Sequence, residues 1–222
     1  MTIRGVILDV DGTLIESNDA HAHAWVEAMA EYGYFVTFDK VRPLVGMGGD
    51  KVLPETIAVQ KDSTDGKKID AKRMQVFKQL YLPGIQPFPG ARELLHRMRE
   101  QGLKLAVASS STPDELRALL QIVGAEDLIE KESSSKDARH SKPDPDVMTA
   151  TLKKLGNPAD EVVMIGDTPY DIEAARKVGV GTIAFRCGGW HDADLGGALA
   201  VYDGPADLLA HYDTSPLGKQ GG

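Results

Sequence analysis

The chain contains a single cysteine, Cys187, among its 222 residues. One thiol closes no intramolecular disulfide and supplies no multi-thiolate zinc cluster, which excludes a disulfide-stapled secreted scaffold and a zinc ribbon. Positive charge is also short: 25 basic residues stand against 33 acidic ones, a formal net charge of −8. Nucleic acid and anionic membrane both reward a basic face, so neither is expected as the main partner. No apolar run approaches the roughly 20 residues a bilayer span needs. Near the N-terminus there is only Arg4 and the short run Val6-Ile7-Leu8, too little for a secretory signal, and a cytoplasmic location is expected.

Short strand and helix signals alternate along the chain. Gly5-Val6-Ile7-Leu8-Asp9-Val10 is apolar and β-branched and then meets Asp-Gly, the pattern of a buried strand running into a turn. Similar runs recur at 103–108, 162–165 and 181–185, with a weaker one at 199–202. Thr112-Pro113-Asp114-Glu115 offers an N-cap hydroxyl, proline at the first helical position and glutamate three residues after the cap; Thr168-Pro169-Tyr170-Asp171 repeats the arrangement with aspartate. Pro143 and Pro158 are read as opening two further helices, and Pro205 another. Strands alternating with helices predict an α/β fold: a Rossmann-like, doubly wound parallel sheet covered on both faces.

Residues 17–86 break the rhythm. They hold no convincing strand, whereas His21, Trp25, Ala28, Met29 and Tyr32 recur at helical spacing, as do Met74, Phe77 and Tyr81. Pro83-Gly84-Ile85-Gln86-Pro87-Phe88-Pro89-Gly90 reads as a stiff linker. The expected organisation is a core of residues 1–16 and 87–212, with an all-helical cap domain at 17–86 inserted after the first strand. That insertion point lies at the carboxyl ends of the strands, where open α/β sheets bind ligands. The polar, glycine-rich stretch 213–222 is expected to fray.

The chemistry collects at strand ends. Asp9 and Asp11 follow the first strand two residues apart, with Gly12 allowing a sharp turn and Thr13 adding a hydroxyl. Two carboxylates this close repel, and a hard cation with oxygen ligands relieves them; taken alone, the pair also reads as a plain Asp-Gly turn. Ser109, with Ser110 and Ser111, follows another strand and could offer donors to an oxyanion. Lys142 precedes Pro143, and Asp167 follows Met164-Ile165-Gly166 with Asp171 four residues on, where it also serves the helix cap. Three or four carboxylates in one crevice require a divalent cation and Lys142 in opposition. Magnesium fits best, because its sites use one or two carboxylates together with substrate phosphate.

Asp9-Val10-Asp11-Gly12-Thr13-Leu14, Ser109, Lys142-Pro143-Asp144-Pro145 and Gly166-Asp167-Thr168-Pro169-Tyr170-Asp171 occur in the order, and at the strand ends, of the haloacid dehalogenase superfamily. Over residues 1 to about 208 the chain resembles the branch of those phosphohydrolases with a helical cap after the first strand, that of phosphoglycolate phosphatases and β-phosphoglucomutase-like enzymes. The resemblance implies that Asp9 becomes an aspartyl-phosphate and that Asp11 protonates the leaving oxygen and later activates water. Ser109, Ser110 and Lys142 would hold the phosphoryl oxygens. Mg²⁺ would be bound by Asp9, Asp167 and the main-chain carbonyl of Asp11, with Thr13 supporting the site from behind and Asp171 either doing the same or pairing with Lys142.

Asp11 argues against haloacid dehalogenation, since the eponymous dehalogenases generally lack the second aspartate. The implied activity is a Mg²⁺-dependent phosphatase for a small phosphorylated metabolite, of sugar-phosphate or phosphoglycolate type, working as a monomer or homodimer. The alternative is a phosphomutase of the β-phosphoglucomutase type; a phosphonate hydrolase or a non-catalytic binding module fits less well. In the cap, His21 reads equally as a packed histidine or a substrate contact. Lys51, after the glycine loop Gly46-Met47-Gly48-Gly49, reads as a substrate contact or an exposed loop lysine. The polar stretch 131–141 has no functional reading.

Overall fold

The computed structural model describes residues 2–218. The chain falls into two compact units, Met1–Glu16 with Gln86–Gly222, and Ser17–Ile85 between them.

The larger unit is built on a six-stranded sheet: β1 (Gly5–Leu8), β2 (Lys104–Ala108), β3 (Lys131–Ser133), β4 (Val162–Gly166), β5 (Gly181–Phe185) and β6 (Ala200–Tyr202). Their order is β3-β2-β1-β4-β5-β6 and every pairing is parallel. β1 and β4 are buried at every position, as continuous apolar runs are in a sheet covered on both faces. The chain steps from β1 outward to β2 and β3, then returns to the other side of β1 as β4. The reversal between β1 and β4 is a topological switch point, which opens a crevice at the carboxyl ends of these strands. Leu8 stands opposite both Val107 of β2 and Ile165 of β4, so the residues that follow the three strands emerge at one level.

β3 is a strand that the apolar pattern does not announce. Its sequence is Lys-Glu-Ser, with Lys131 and Glu132 exposed, and it lies at the edge of the sheet, where charged side chains are favoured because they discourage pairing with other chains.

In the inserted unit, α1 (Asn18–Glu31), α2 (Phe38–Val41), α3 (Gly49–Ile57) and α4 (Thr64–Val76) surround Ala22, Trp25, Ala28, Met29, Val41, Val45, Val52, Leu53 and Ile69. Tyr32, expected on the buried face of α1, lies just past its end and is 38% exposed. The chain leaves the larger unit at Glu16 and re-enters at Gln86, where the Glu16 amide donates to the Gln86 carbonyl and the Phe88 amide to that of Leu14, both at 3.0 Å.

The remaining helices belong to the larger unit: α5 (Ala91–Glu100), α6 (Pro113–Val123), α7 (Asp146–Leu155), α8 (Pro169–Lys177) and α9 (Pro205–Ala210). The capping boxes expected at Thr112/Glu115 and Thr168/Asp171 are both formed. Two proline readings are corrected. Pro143 lies in a turn closed by the Asp144 amide on the Ser141 carbonyl, and α7 begins only at Asp146, after Pro145. Pro158 opens a single 3₁₀ turn, Ala159–Glu161, that feeds β4. On one face of the sheet, Ile7, Ala106, Ala108 and Met164 pack with Val147, Met148 and Leu155 of α7 and Ala174 and Ala175 of α8.

The expected fraying from residue 213 is not met as far as 218. Tyr212–Thr214 forms a 3₁₀ turn, and Ser215 and Leu217 are buried. Residues 219–222 of that stretch lie outside the described residues. No described helix is long and apolar enough to cross a membrane.

Candidate active site

Asp9 extends β1 by one residue, its amide donating to Ile165 of β4 at 2.9 Å. The chain then folds back: the Val10 carbonyl accepts from the amides of Thr13, Leu14 and Ile15, a turn that needs the left-handed conformation of Gly12, φ +75°. The turn returns Thr13 to the strand end. Its hydroxyl donates to Asp167 Oδ1 at 2.9 Å and lies 3.4 Å from Asp9 Oδ2. Asp167 comes directly after β4, so neighbouring strands deliver both carboxylates and one threonine links them.

Lys142 is 1% exposed, and its Nζ lies 2.6 Å from Asp9 Oδ1 and 2.8 Å from Asp171 Oδ1. Asp171 divides its two oxygens between tasks. Oδ2 accepts from the Thr168 amide and hydroxyl, at 3.1 and 2.8 Å, closing the capping box of α8. Oδ1 faces the lysine. The helix cap and the buried ion pair are thus the work of one residue, and Asp171 in turn orients Lys142.

Oxygens of Asp9, Asp167 and Asp171 all lie within 4.8 Å of one another, the one such acidic trio among the described residues. Three buried carboxylates against one ammonium leave the crevice short of positive charge. Burial pushes the Asp9 carboxyl well above its ordinary range; Lys142 opposes that shift, while Asp171, Asp167 and Asp11 add to it. Burial works against the charge of Lys142, but Asp171 and Asp9 prevail and raise its pKa, so it stays charged. An all-oxygen donor set with this deficit suits a hard divalent cation.

The Asp11 carboxylate is not part of the trio. Its Oδ2 accepts from the Ser111 hydroxyl at 3.0 Å. Ser109 follows β2 and is 1% exposed, and its Oγ accepts from the Ser111 amide at 3.0 Å; Ser110, between them, is half-buried. The structure therefore brings together Asp9, Thr13, Lys142, Asp167 and Asp171, with Ser109 and Asp11 joined through Ser111.

The two residues singled out in the insertion belong to the other unit. The His21 ring is buried and stacks on Phe77, centroids 4.0 Å apart and planes 9° from parallel, which favours the packed reading. Lys51 is half-buried in the first turn of α3.

Ser111, read from the sequence only as an oxyanion donor beside Ser109, is a partner of Asp11. Two further contributors escaped the sequence reading. The Cys187 thiol reaches the Gly12 carbonyl at 3.4 Å, and burial, reinforced by Asp167, pushes it up to about 12, so it acts as a packed thiol rather than a nucleophile. Gly188 leaves room for Asp167: a Cβ at 188 would fall 1.8 Å from Asp167 Oδ2. Gly188→Ala is therefore expected to displace that carboxylate and weaken divalent-cation binding about 10- to 100-fold, read by titration calorimetry. Unchanged affinity in a folded variant would show that Asp167 does not depend on this space.

A family model described as haloacid dehalogenase-like hydrolase matches residues 6–185. The phosphoglycolate phosphatase of Rhodospirillum rubrum is 32% identical over 217 residues, covering 92% of this chain and 89% of that protein. The crystal structure of a hydrolase from Pseudomonas syringae superposes with a TM-score of 0.87 at 31% identity, covering 95% of this chain and 98% of the other. CbbY from Rhodobacter sphaeroides in complex with phosphate gives a TM-score of 0.80 at 26% identity, covering 96% and 100%.

Proposed function

The chain belongs to the haloacid dehalogenase-like hydrolases, and from that premise we propose that it is a magnesium-dependent phosphatase of small phosphorylated metabolites, of sugar-phosphate or phosphoglycolate type, working through an aspartyl-phosphate on Asp9. The observation that carries the reading is the setting of Asp9: a buried carboxylate at the end of the central strand, 2.6 Å from the Lys142 ammonium and in one trio with Asp167. A phosphate monoester brings further negative charge to this point, so its approach depends on cations already held there.

In the first step a carboxylate oxygen of Asp9 bonds to phosphorus, the ester P–O bond breaks, and Asp11 gives a proton to the departing oxygen. In the second, water attacks the same phosphorus, Asp11 takes its proton, and the bond to Asp9 breaks to release inorganic phosphate. Lys142 and the Ser109 hydroxyl steady the phosphoryl oxygens, with Ser110 beside them. Asp171 keeps Lys142 aimed at Asp9, and Thr13 fixes Asp167. Asp9, Asp167 and the Asp11 carbonyl would hold Mg²⁺, which supplies charge neutralisation on the transferring group when bound.

A panel of sugar phosphates, phosphoglycolate and an aryl phosphate, with Mg²⁺ and after chelation, tests the reading. Phosphate release should vanish on chelation and return with Mg²⁺. Full activity in metal-free protein would sink the charge argument. Isomerisation of glucose 1-phosphate to glucose 6-phosphate with negligible phosphate release, in the presence of the bisphosphate, would replace hydrolysis by phosphoryl return to the sugar.

A further inference from the structure

Ser111 is held at its main chain before its side chain does anything. The Ser109 amide donates to the Ser133 carbonyl, and the Ser111 carbonyl accepts from the Ser135 amide, both at 3.0 Å, so the loop after β2 is fastened at one end to the last residue of β3 and at the other to the turn that follows it. Ser111 is 8% exposed. Its amide donates to Ser109 Oγ and its hydroxyl to Asp11 Oδ2, each at 3.0 Å.

A serine hydroxyl has one proton to give. Ser109 accepts from an amide and so keeps its proton for an anion. Ser111 directs its proton to Asp11 and presents only lone pairs elsewhere, which repel phosphoryl oxygens. Two serines of one loop are thereby sorted into different work. The terminal torsion of an aspartate is broad and unselective, whereas a proton donor works only within hydrogen-bond reach of the atom it serves. A fixed donor on one carboxylate oxygen defines the plane in which the group lies.

We infer that Ser111 is a positioning residue for the proton transfers of Asp11, tying the orientation of that carboxyl to the loop carrying the phosphoryl-binding Ser109. The inference rests on the phosphatase reading above. Residues 133–135, within the polar stretch that gave no functional reading from sequence, then acquire a purpose: their main chain anchors this loop.

The test compares kcat/KM, which reports the steps up to the aspartyl-phosphate, on an alkyl phosphate and on p-nitrophenyl phosphate. The alkyl leaving group needs a proton and the nitrophenolate does not. Ser111→Ala should lose about 10-fold on the alkyl ester and stay within about 2-fold on the aryl ester. Ser111→Cys, which keeps the volume but donates weakly, should show the same split, and Ser111→Thr should restore the alkyl activity. Inhibition by inorganic phosphate should be unchanged in Ser111→Ala. Equal losses on the two esters, no loss on either, no rescue by threonine, or a matching loss of phosphate inhibition would each overturn the inference. A split in Asp11→Asn without one in Ser111→Ala would overturn it while leaving the phosphatase reading intact. Wild-type protein inert toward both esters would overturn the two together.

Discussion

Asp9→Asn is expected to abolish phosphate release, a fall of at least about 10⁴-fold, while the protein stays folded at near wild-type stability. An amide keeps the shape of the side chain but has no anionic oxygen to bond to phosphorus. The fold should tolerate the exchange because the crevice already holds more negative than positive charge, and because Lys142 keeps Asp171 at 2.8 Å, so no buried ammonium is orphaned. The asparagine carbonyl can still accept from Lys142. Acid-quenched wild-type protein should carry phosphate on the peptide containing Asp9, and the variant should carry none. Near-normal release from a folded Asp9→Asn protein would remove the covalent route.

What the sequence made legible follows from how each element is stabilised. β1, β4 and β5 stood out because a strand buried on both faces has to be apolar along its length, and α6 and α8 because their capping boxes sit within four consecutive residues. β3 did not stand out, since it joins the sheet by its main-chain ladder to β2 while Lys131 and Glu132 face water. Nor did the packing of Leu217, a single apolar residue in a glycine-rich stretch. Within the site, the carboxylates were readable because each lies next to a strand end or a helix start, and Lys142 because it precedes Pro143, although that proline sits in a turn and not at the start of α7. The bond from Ser111 to Asp11 spans 100 residues and depends on a side-chain rotation, and the service of Gly188 depends on where Asp167 points. Local pattern encodes neither. Asp171 was legible as a cap and, through the family resemblance, as a support for the metal or a partner of Lys142; that one oxygen closes the cap while the other faces Lys142 needed the fold.

Lys142→Met is expected to lose activity and also about 3–5 kcal/mol of stability, because it removes the one ammonium beside buried carboxylates while roughly keeping the side-chain volume. Asp9, Asp167 and Asp171 are 5%, 0% and 1% exposed, so water cannot take over the work of the lysine. The pH dependence has a definite sign. Burial, Asp171, Asp167 and Asp11 already raise the Asp9 carboxyl against the opposition of Lys142, and removing Lys142 raises it further. An acid with a raised pKa in the folded state binds its proton there more tightly than in the unfolded chain. The deficit of the variant is then full above the raised folded pKa and shrinks as pH falls through it towards the ordinary carboxylate range. Added Mg²⁺ should recover part of the loss at neutral pH, since a cation held by the folded protein alone stabilises it. Urea unfolding of both proteins at neutral and mildly acidic pH, with and without Mg²⁺, reads all three effects. A loss below about 1 kcal/mol that is indifferent to pH and to Mg²⁺ would mean that the clustered carboxylates are not the charge burden that gives Lys142 its place.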